Sequence, residues 1–232
     1  MELREQRFGI EIEMTGITRA GAAKVAATYF GTRAEYVGTY YQTYAAVDQE
    51  GRQWKFMSDG SIRAEKKVNG EKRAAGAVYR TEMVSPICRY EDIEKIQELI
   101  RELKKKGAIV NESCGIHVHI DASPFDAGKL RNLTNIMAAK EDLIYKALGV
   151  SVERQHRWCR PVEERFLEEL NRRRPTSMEA VEEIWYNGRS RRGQHYDQSR
   201  YHCLNLHSVF QKGTVEFRLF NGTLHAGKIK AY

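Results

Sequence analysis

Phe8-Gly9-Ile10-Glu11-Ile12-Glu13-Met14 alternates apolar and acidic residues without a break. Period two predicts a β-strand with Ile10, Ile12 and Met14 on one face and Glu11 and Glu13 on the other. The same design returns downstream. Ile116-His117-Val118-His119-Ile120 carries His117 and His119, with Asp121 next in phase, and Val215-Glu216-Phe217-Arg218-Leu219 carries Glu216 and Arg218. A fourth strand, over residues 78–84, adds Glu82 in phase with Arg80. Residues i and i+2 of a strand lie on one face, about 6.5 Å apart. An antiparallel sheet with one face on the core would gather these groups on its other face. Polar residues there can serve solubility alone, but a solvated face ordinarily mixes Lys, Thr, Ser and Gln. These strands carry Glu, His and Arg almost exclusively.

Outward from these strands, the pattern is mixed. Thr18 caps a helix that ends near Gly31, residues 40–48 and 53–58 form a hairpin, and residues 66–76, rich in Lys and Gly, read as an exposed loop. Residues 90–106 place Ile93, Ile96, Leu99, Ile100 and Leu103 on one helical stripe, with Lys104-Lys105-Lys106 where the helix dipole favours cations. A long helix over 126–148 is closed by Gly149. Residues 151–200, with eleven Arg and no Lys, are predicted to hold helices near 162–170 and 177–186 and a mobile basic loop at 187–194. Strands over 201–210 and 214–220 follow, then a helix starting at His225 that the chain end cuts short. With no repeat and no linker, the 232 residues read as one α+β domain, the Arg-rich 151–200 segment being an insertion.

Were the strands to adjoin, Glu11, Glu13, Glu82 and Glu216 would crowd together. Two carboxylates about 5 Å apart repel by roughly 3 kcal/mol at an effective dielectric of about 20. Four acids cannot relieve this cheaply by taking up protons at neutral pH, whereas divalent cations can, and oxygen-rich sites suit Mg²⁺ or Mn²⁺. Metals beside Arg218 and a basic loop are chemically matched to phosphate groups.

Composition narrows the class. The 38 Lys+Arg against 31 Asp+Glu give +7, compatible with an anionic ligand without singling out nucleic acid. No apolar run reaches the ~20 residues a membrane span needs, and residues 1–5 lack the apolar stretch of a signal peptide. Four cysteines (Cys88, Cys114, Cys159, Cys203) are too sparse for a disulfide framework. A cytoplasmic protein is the expectation.

Phe8 to Glu13, Asp59-Gly60-Ser61, Glu82-Met83-Val84-Ser85-Pro86, Cys114-Gly115-Ile116-His117-Val118-His119 and Thr214 to Phe220 together resemble the amidoligases. These are carboxylate–amine ligases of the glutamine synthetase and γ-glutamylcysteine ligase fold. The motifs occur in family order over residues 8 to 225. The resemblance implies a curved antiparallel sheet with helices packed on its convex face and the site in the concavity, as in the glutamine synthetase catalytic domain. It implies ATP-dependent amide formation: a substrate carboxylate takes the γ-phosphoryl group and an amine attacks the acyl phosphate. By motif, Glu11, His117 and Glu216 resemble ligands of a nucleotide-side metal, and Glu13 and Glu82 ligands of a substrate-side metal. His119 resembles a histidine that touches phosphate, and Arg218 an arginine that stabilises the transferring phosphoryl group. Asp59 is either a turn residue or a contact of the amine, and Arg191 belongs to a loop that is either plain surface or a lid gripping phosphate.

The chain departs from the family at several points. Glutamine synthetase has a further carboxylate shortly after its counterpart of Glu82; here the nearest acids, Glu91 and Asp92, fall at the start of the next helix. The chain is about half the size of that enzyme and lacks its small N-terminal domain, and its early end reads as either a cut chain or a compact member. No Walker-type loop is present.

Other readings stay open on the residues alone. Cys114, His117 and His119 with His202, Cys203 or His207 could hold zinc. Cys159 beside Trp158 reads as a packing residue, Tyr40, Tyr41 and Tyr44 as sheet residues, and Arg200 or Asn205 as a residue that orients substrate. Phosphoryl transfer to a nitrogen acceptor occurs on the same fold. An Arg-rich nucleic-acid binder is opposed by the acids interleaved through 151–200. The expected partners are a small-molecule or peptide carboxylate and an amine, with a homo-oligomer sharing its site between subunits left open.

Overall fold

β1 spans Phe8–Met14 and is followed by α1 (Arg19–Phe30), β2 (Ala34–Gly38), β3 (Thr43–Val47), β4 (Gln53–Met57), β5 (Glu65–Val68), β6 (Glu71–Ala74), β7 (Thr81–Val84), α2 (Asp92–Lys105) and β8 (Gly115–Asp121). Next come α3 (Ala127–Leu148), α4 (Val152–Arg157), α5 (Glu164–Arg173), α6 (Met178–Tyr186), β9 (Leu204–Asn205), α7 (His207–Lys212), β10 (Thr214–Asn221) and α8 (Ala226–Ala231). This computed structural model describes residues 2–232, Met1 lying outside them. The chain divides into two compact units, one running to Ile116 and including Asn221–Tyr232, the other His117–Phe220.

The first unit is built on antiparallel strands in the order β2-β3-β4-β7-β1. Period two in β1 does what the sequence predicts: Ile10, Ile12 and Met14 are buried in the core. Helix α1 covers that core with Ala22, Ala23, Ala26, Ala27 and Phe30, and the Phe30 ring lies 5.5 Å from that of Trp54 on β4. Small side chains on the buried face let the helix approach the sheet closely. Thr18 caps α1 by accepting from the Gly21 N–H, and Gly31 ends it in the left-handed region. Helix α2 buries Ile96, Leu99, Ile100 and Leu103. Its start is tied to the β3–β4 turn by Arg52, which donates to Asp92 at 2.8 and 2.7 Å and to Asp48 at 3.0 Å.

Three sequence expectations are corrected here. Residues 66–76 are a hairpin, β5–β6, rather than a loop, because Asn69 and Gly70 both take positive φ and supply a two-residue turn. The strand expected over 78–84 starts only at Thr81, since Ala77–Tyr79 forms a 3-10 turn. A strand missed by pattern, β2, pairs with β3.

The second unit contains the order β8-β10-β9. Chain ends fix the sense of β8 against β10: Ala122 donates to the Gly213 carbonyl, and Gly222 to that of Cys114, both at 3.0 Å, so the pair is antiparallel. The core of this unit gathers Leu130, Met137 and Tyr145 of α3, Phe166 and Leu170 of α5, Val181, Ile184 and Trp185 of α6, and Val215 and Leu219 of β10. Helix α3 is capped by Asp126 and closed by Gly149, as its sequence predicts. The strand expected over 201–210 is reduced to two residues, and His207–Lys212 is a helical turn stopped by Gly213 at φ +73°. The basic segment after α6 is tied back by ion pairs, Arg192 with Glu182 and Arg191 with Asp197.

Candidate functional site

In the first unit, the register of β1 and β7 sets Glu13 directly opposite Glu82, and both are buried, at 4% and 7% exposure. Asp59, in the turn leaving β4, joins them: one carboxylate oxygen from each of the three lies within 4.8 Å of the others. Asp59 is aimed by its own motif, accepting from the N–H and hydroxyl of Ser61. Glu13 accepts from the Gly115 N–H at 2.6 Å. Glu11 sits two residues earlier on the same face of β1, opposite Val84 and only partly buried. Three oxygen donors of this kind form a set suited to a hard divalent cation.

The second unit builds a different cluster around Glu216, which is 1% exposed. Asn205, opposite it in the β9–β10 register, donates to Oε2 at 2.6 Å, and Arg218 donates to Oε1. The rings of His117 and His119, both buried, each bring a nitrogen to 3.9 Å from that same Oε1. His119 Nδ1 lies 3.0 Å from the Thr214 hydroxyl, which in turn contacts that of Ser208 at 2.8 Å. The Arg218 guanidinium lies over the Tyr201 ring at 5.8 Å. A carboxylate and two imidazoles offer metal ligands, and Arg218 offers N–H donors matched to phosphate oxygens.

Of the residues singled out by sequence, Glu13, Asp59 and Glu82 meet in the first unit, and His117, His119, Glu216 and Arg218 in the second. Arg191 stands apart from the Glu216 cluster in the contacts it makes, with its Nε 2.7 Å from Asp197 and its guanidinium 5.4 Å from the Tyr186 ring centre. Ser208 and Tyr201 support the Glu216 cluster and were missed, while Ser61 and Thr214 stood in the quoted motifs without an assigned role. The role of Thr214 could have been found, because it is in phase with Glu216 and Arg218 on one strand.

A protein-family model described as "Putative amidoligase enzyme" matches residues 4–232. The chain belongs to that family. Its description names an amide-forming ligase, and so an enzyme. No curated protein and no solved structure matches the chain.

Elsewhere in this amidoligase-family chain, the groups that might compete for a role are engaged in packing. Cys88, Cys114, Cys159 and Cys203 are all buried and outside any disulfide, and among the described residues the side-chain groups with metal-ligand spacing contain no cysteine. Burial pushes the Cys203 thiol up, and it donates to Glu141 at 3.2 Å; burial likewise raises Cys88, to about 11. His202 contacts the Pro161 carbonyl at 2.7 Å and His207 contacts the Tyr186 hydroxyl at 2.5 Å, and burial lowers the pKa of both. Asp92, the nearest candidate for a carboxylate following Glu82, is taken up by Arg52. Among the described residues, no helix is long and apolar enough to cross a membrane.

Proposed function

We propose that this protein is an ATP- and Mg²⁺- (or Mn²⁺-) dependent carboxylate–amine ligase that forms an amide through an acyl phosphate. The observation that carries the reading is the convergence of Glu13, Asp59 and Glu82 in a chain of the amidoligase family. Glu13 and Glu82 would hold the substrate-side ion; His117 and Glu216 would hold the nucleotide-side ion. When bound, such ions neutralise phosphate charge and polarise the transferring group.

The chain's own residues do the rest. Arg218, buried and oriented by Glu216, donates to the transferring phosphoryl oxygens as the substrate carboxylate attacks the γ-phosphorus and ADP leaves. His119, positioned by Thr214, donates to a phosphate oxygen. Asp59, aimed by Ser61, receives the amine and takes its proton as nitrogen attacks the acyl carbon and inorganic phosphate departs. The substrates are a small-molecule or peptide carboxylate and an amine, on a curved sheet of the glutamine synthetase kind. Four buried cysteines outside any disulfide suit a reducing compartment, and the cytoplasm is the location this reading assigns. Pairing within the Arg-rich segment, Arg157 with Glu153, Arg172 with Glu169 and Arg173 with Glu183, supports this reading over a nucleic-acid surface.

Calorimetric titration with Mg²⁺-ATP tests the site. Wild-type protein is expected to bind saturably, Glu216→Gln to lose that binding, and Glu13→Gln to keep it while losing turnover. Failure of the wild type to bind Mg²⁺-ATP would overturn the reading.

A further inference from the structure

The first unit contains a second place built for a ligand, away from the acidic residues. A cavity of about 330 Å³ is lined by Arg19, Tyr36, Gln42, Tyr44 and Val78. Arg19 is 4% exposed, yet it makes no ion pair among the described residues. Its guanidinium is held entirely by neutral acceptors: Nη1 donates to the carbonyls of Ala77 and Arg80 at 2.9 and 3.1 Å, and Nη2 to the Gln42 side chain at 2.5 Å. Five N–H groups are available on a guanidinium. Those three bonds leave one on Nη2 and the Nε–H, and Nε is buried with no hydrogen-bond partner.

Burying a full charge without a counter-charge is costly, and a structure that keeps one in a cavity wall has left room for the anion. Burial lowers the Arg19 pKa, and the groups that act on its charge are the phenols of Tyr44 and Tyr36, with no carboxylate among them. The same cavity is lined by Thr18 and Ala20, at the N-terminus of the twelve-residue helix α1. Thr18 caps only the Gly21 N–H, so the N–H groups of Arg19 and Ala20 open the helix there, where its dipole favours negative charge. Opposite the charge, the wall is apolar and aromatic. The Tyr36 and Tyr44 rings are tilted 53° to each other with centres 4.9 Å apart, and Tyr36 and Val78 are 60% and 50% exposed.

We propose that this cavity binds a small organic carboxylate, its charge on Arg19 and its apolar body against Tyr36 and Tyr44. A single carboxylate matches the two remaining guanidinium N–H groups, which a planar anion can accept together. Along the chain, residues that support the cavity neighbour those of the acidic cluster. Arg80, whose carbonyl holds Arg19, precedes Glu82 by two residues, and the Tyr41 carbonyl accepts from Ser58, next to Asp59. A ligand anchored here would be a substrate whose second, non-reacting carboxylate fixes its orientation. That role rests on the ligase reading, whereas the binding itself does not.

The experiment is calorimetric titration of the full chain, without ATP or Mg²⁺, with phenylacetate, glutarate, neutral phenylacetamide and inorganic phosphate. Saturable binding of a carboxylate is expected, with phenylacetamide failing to bind. Tyr36→Ala, an exposed position, is expected to weaken binding about ten-fold, and Arg19→Gln to abolish it; should Arg19→Gln not fold, Gln42→Ala serves in its place, weakening binding by about as much. Absence of carboxylate binding to the wild type, equal binding of the amide, binding of phosphate alone, or affinity unchanged in Tyr36→Ala and Gln42→Ala would each overturn the proposal. Because no nucleotide is present, this titration reads the cavity alone: carboxylate binding here with no turnover in a separate Mg²⁺-ATP assay would count against the ligase reading alone, and turnover there without binding here against this cavity alone.

Discussion

Glu13 and Glu82 face each other across β1 and β7, a placement that an antiparallel ladder ordinarily avoids because like charges directly opposite repel. At a separation of up to 4.8 Å each ionised pair in the group with Asp59 costs roughly 3 kcal/mol at an effective dielectric of about 20. Removing one charge should therefore stabilise the metal-free protein. Glu82→Gln is expected to raise its unfolding free energy by about 1–3 kcal/mol at pH 8, and to abolish the stabilisation that Mg²⁺ gives the wild type. Urea titration with and without Mg²⁺ checks both; a less stable variant that still responds to Mg²⁺ would contradict the argument. Glu216 presents the opposite case, since its charge is compensated by Arg218 inside the protein. Glu216→Gln leaves Arg218 buried beside a neutral amide and is expected to cost about 3 kcal/mol in the same assay. The acidic and histidine positions were legible because period two and the family motifs mark them. Tyr201 and Ser208 were not, since what recruits them is a ring contact or a hydroxyl contact rather than a spacing.

Hydrophobic periodicity identified β1 and α2 because each buries an apolar stripe, and alternation of apolar residues with His, Glu and Arg identified β8 and β10, where the polar positions are buried too. It failed where local geometry or a short connection decided the outcome. The β5–β6 hairpin is polar on all sides, and its signal was the Asn69-Gly70 pair rather than any apolar pattern. In α7, the end of the stretch expected as a strand over 201–210 turns into a helix six residues long, stopped by Gly213. Gly222, just past β10, shows how tightly that strand end is seated: a Cβ there would lie 2.7 Å from the Cys114 carbonyl oxygen. Gly222→Ala is expected to destabilise by about 1–3 kcal/mol in urea, and an unchanged midpoint would mean this strand end can shift. The tie between α2 and the β3–β4 turn gives a pH signature. Hydrogen bonds from the Arg52 guanidinium hold the Asp92 carboxyl down at about 2 from an ordinary value of 3.8. A carboxyl whose pKa is depressed by folding stabilises above its unfolded pKa and loses that contribution as pH falls through the folded one. Asp92→Asn should thus cost about 2 kcal/mol at pH 7, with the gap from wild type closing between about pH 4 and pH 2. A gap independent of pH in acid unfolding would show that the charge is not what matters.

At the level of the molecule, the five motifs in order pointed to the family that the match over residues 4–232 establishes. Fold class was legible for the same reason, since strands bearing functional groups at every second position need an antiparallel sheet to present them. The basic excess proved less informative, because many of the arginines in 151–200 are partnered by neighbouring acids. What no single sequence encodes is the chemistry of the substrate, which depends on the shape and charge of cavities such as the one at Arg19. The central claim, ATP-driven amide formation, is tested most directly by incubating the protein with Mg²⁺-ATP and pooled carboxylates and amines, following ADP and product masses. The expected result is ADP release that needs both a carboxylate and an amine, with a product lighter than their sum by one water. A phosphorylated acceptor accumulating in place of the amide, or ADP release that needs no carboxylate, would contradict it.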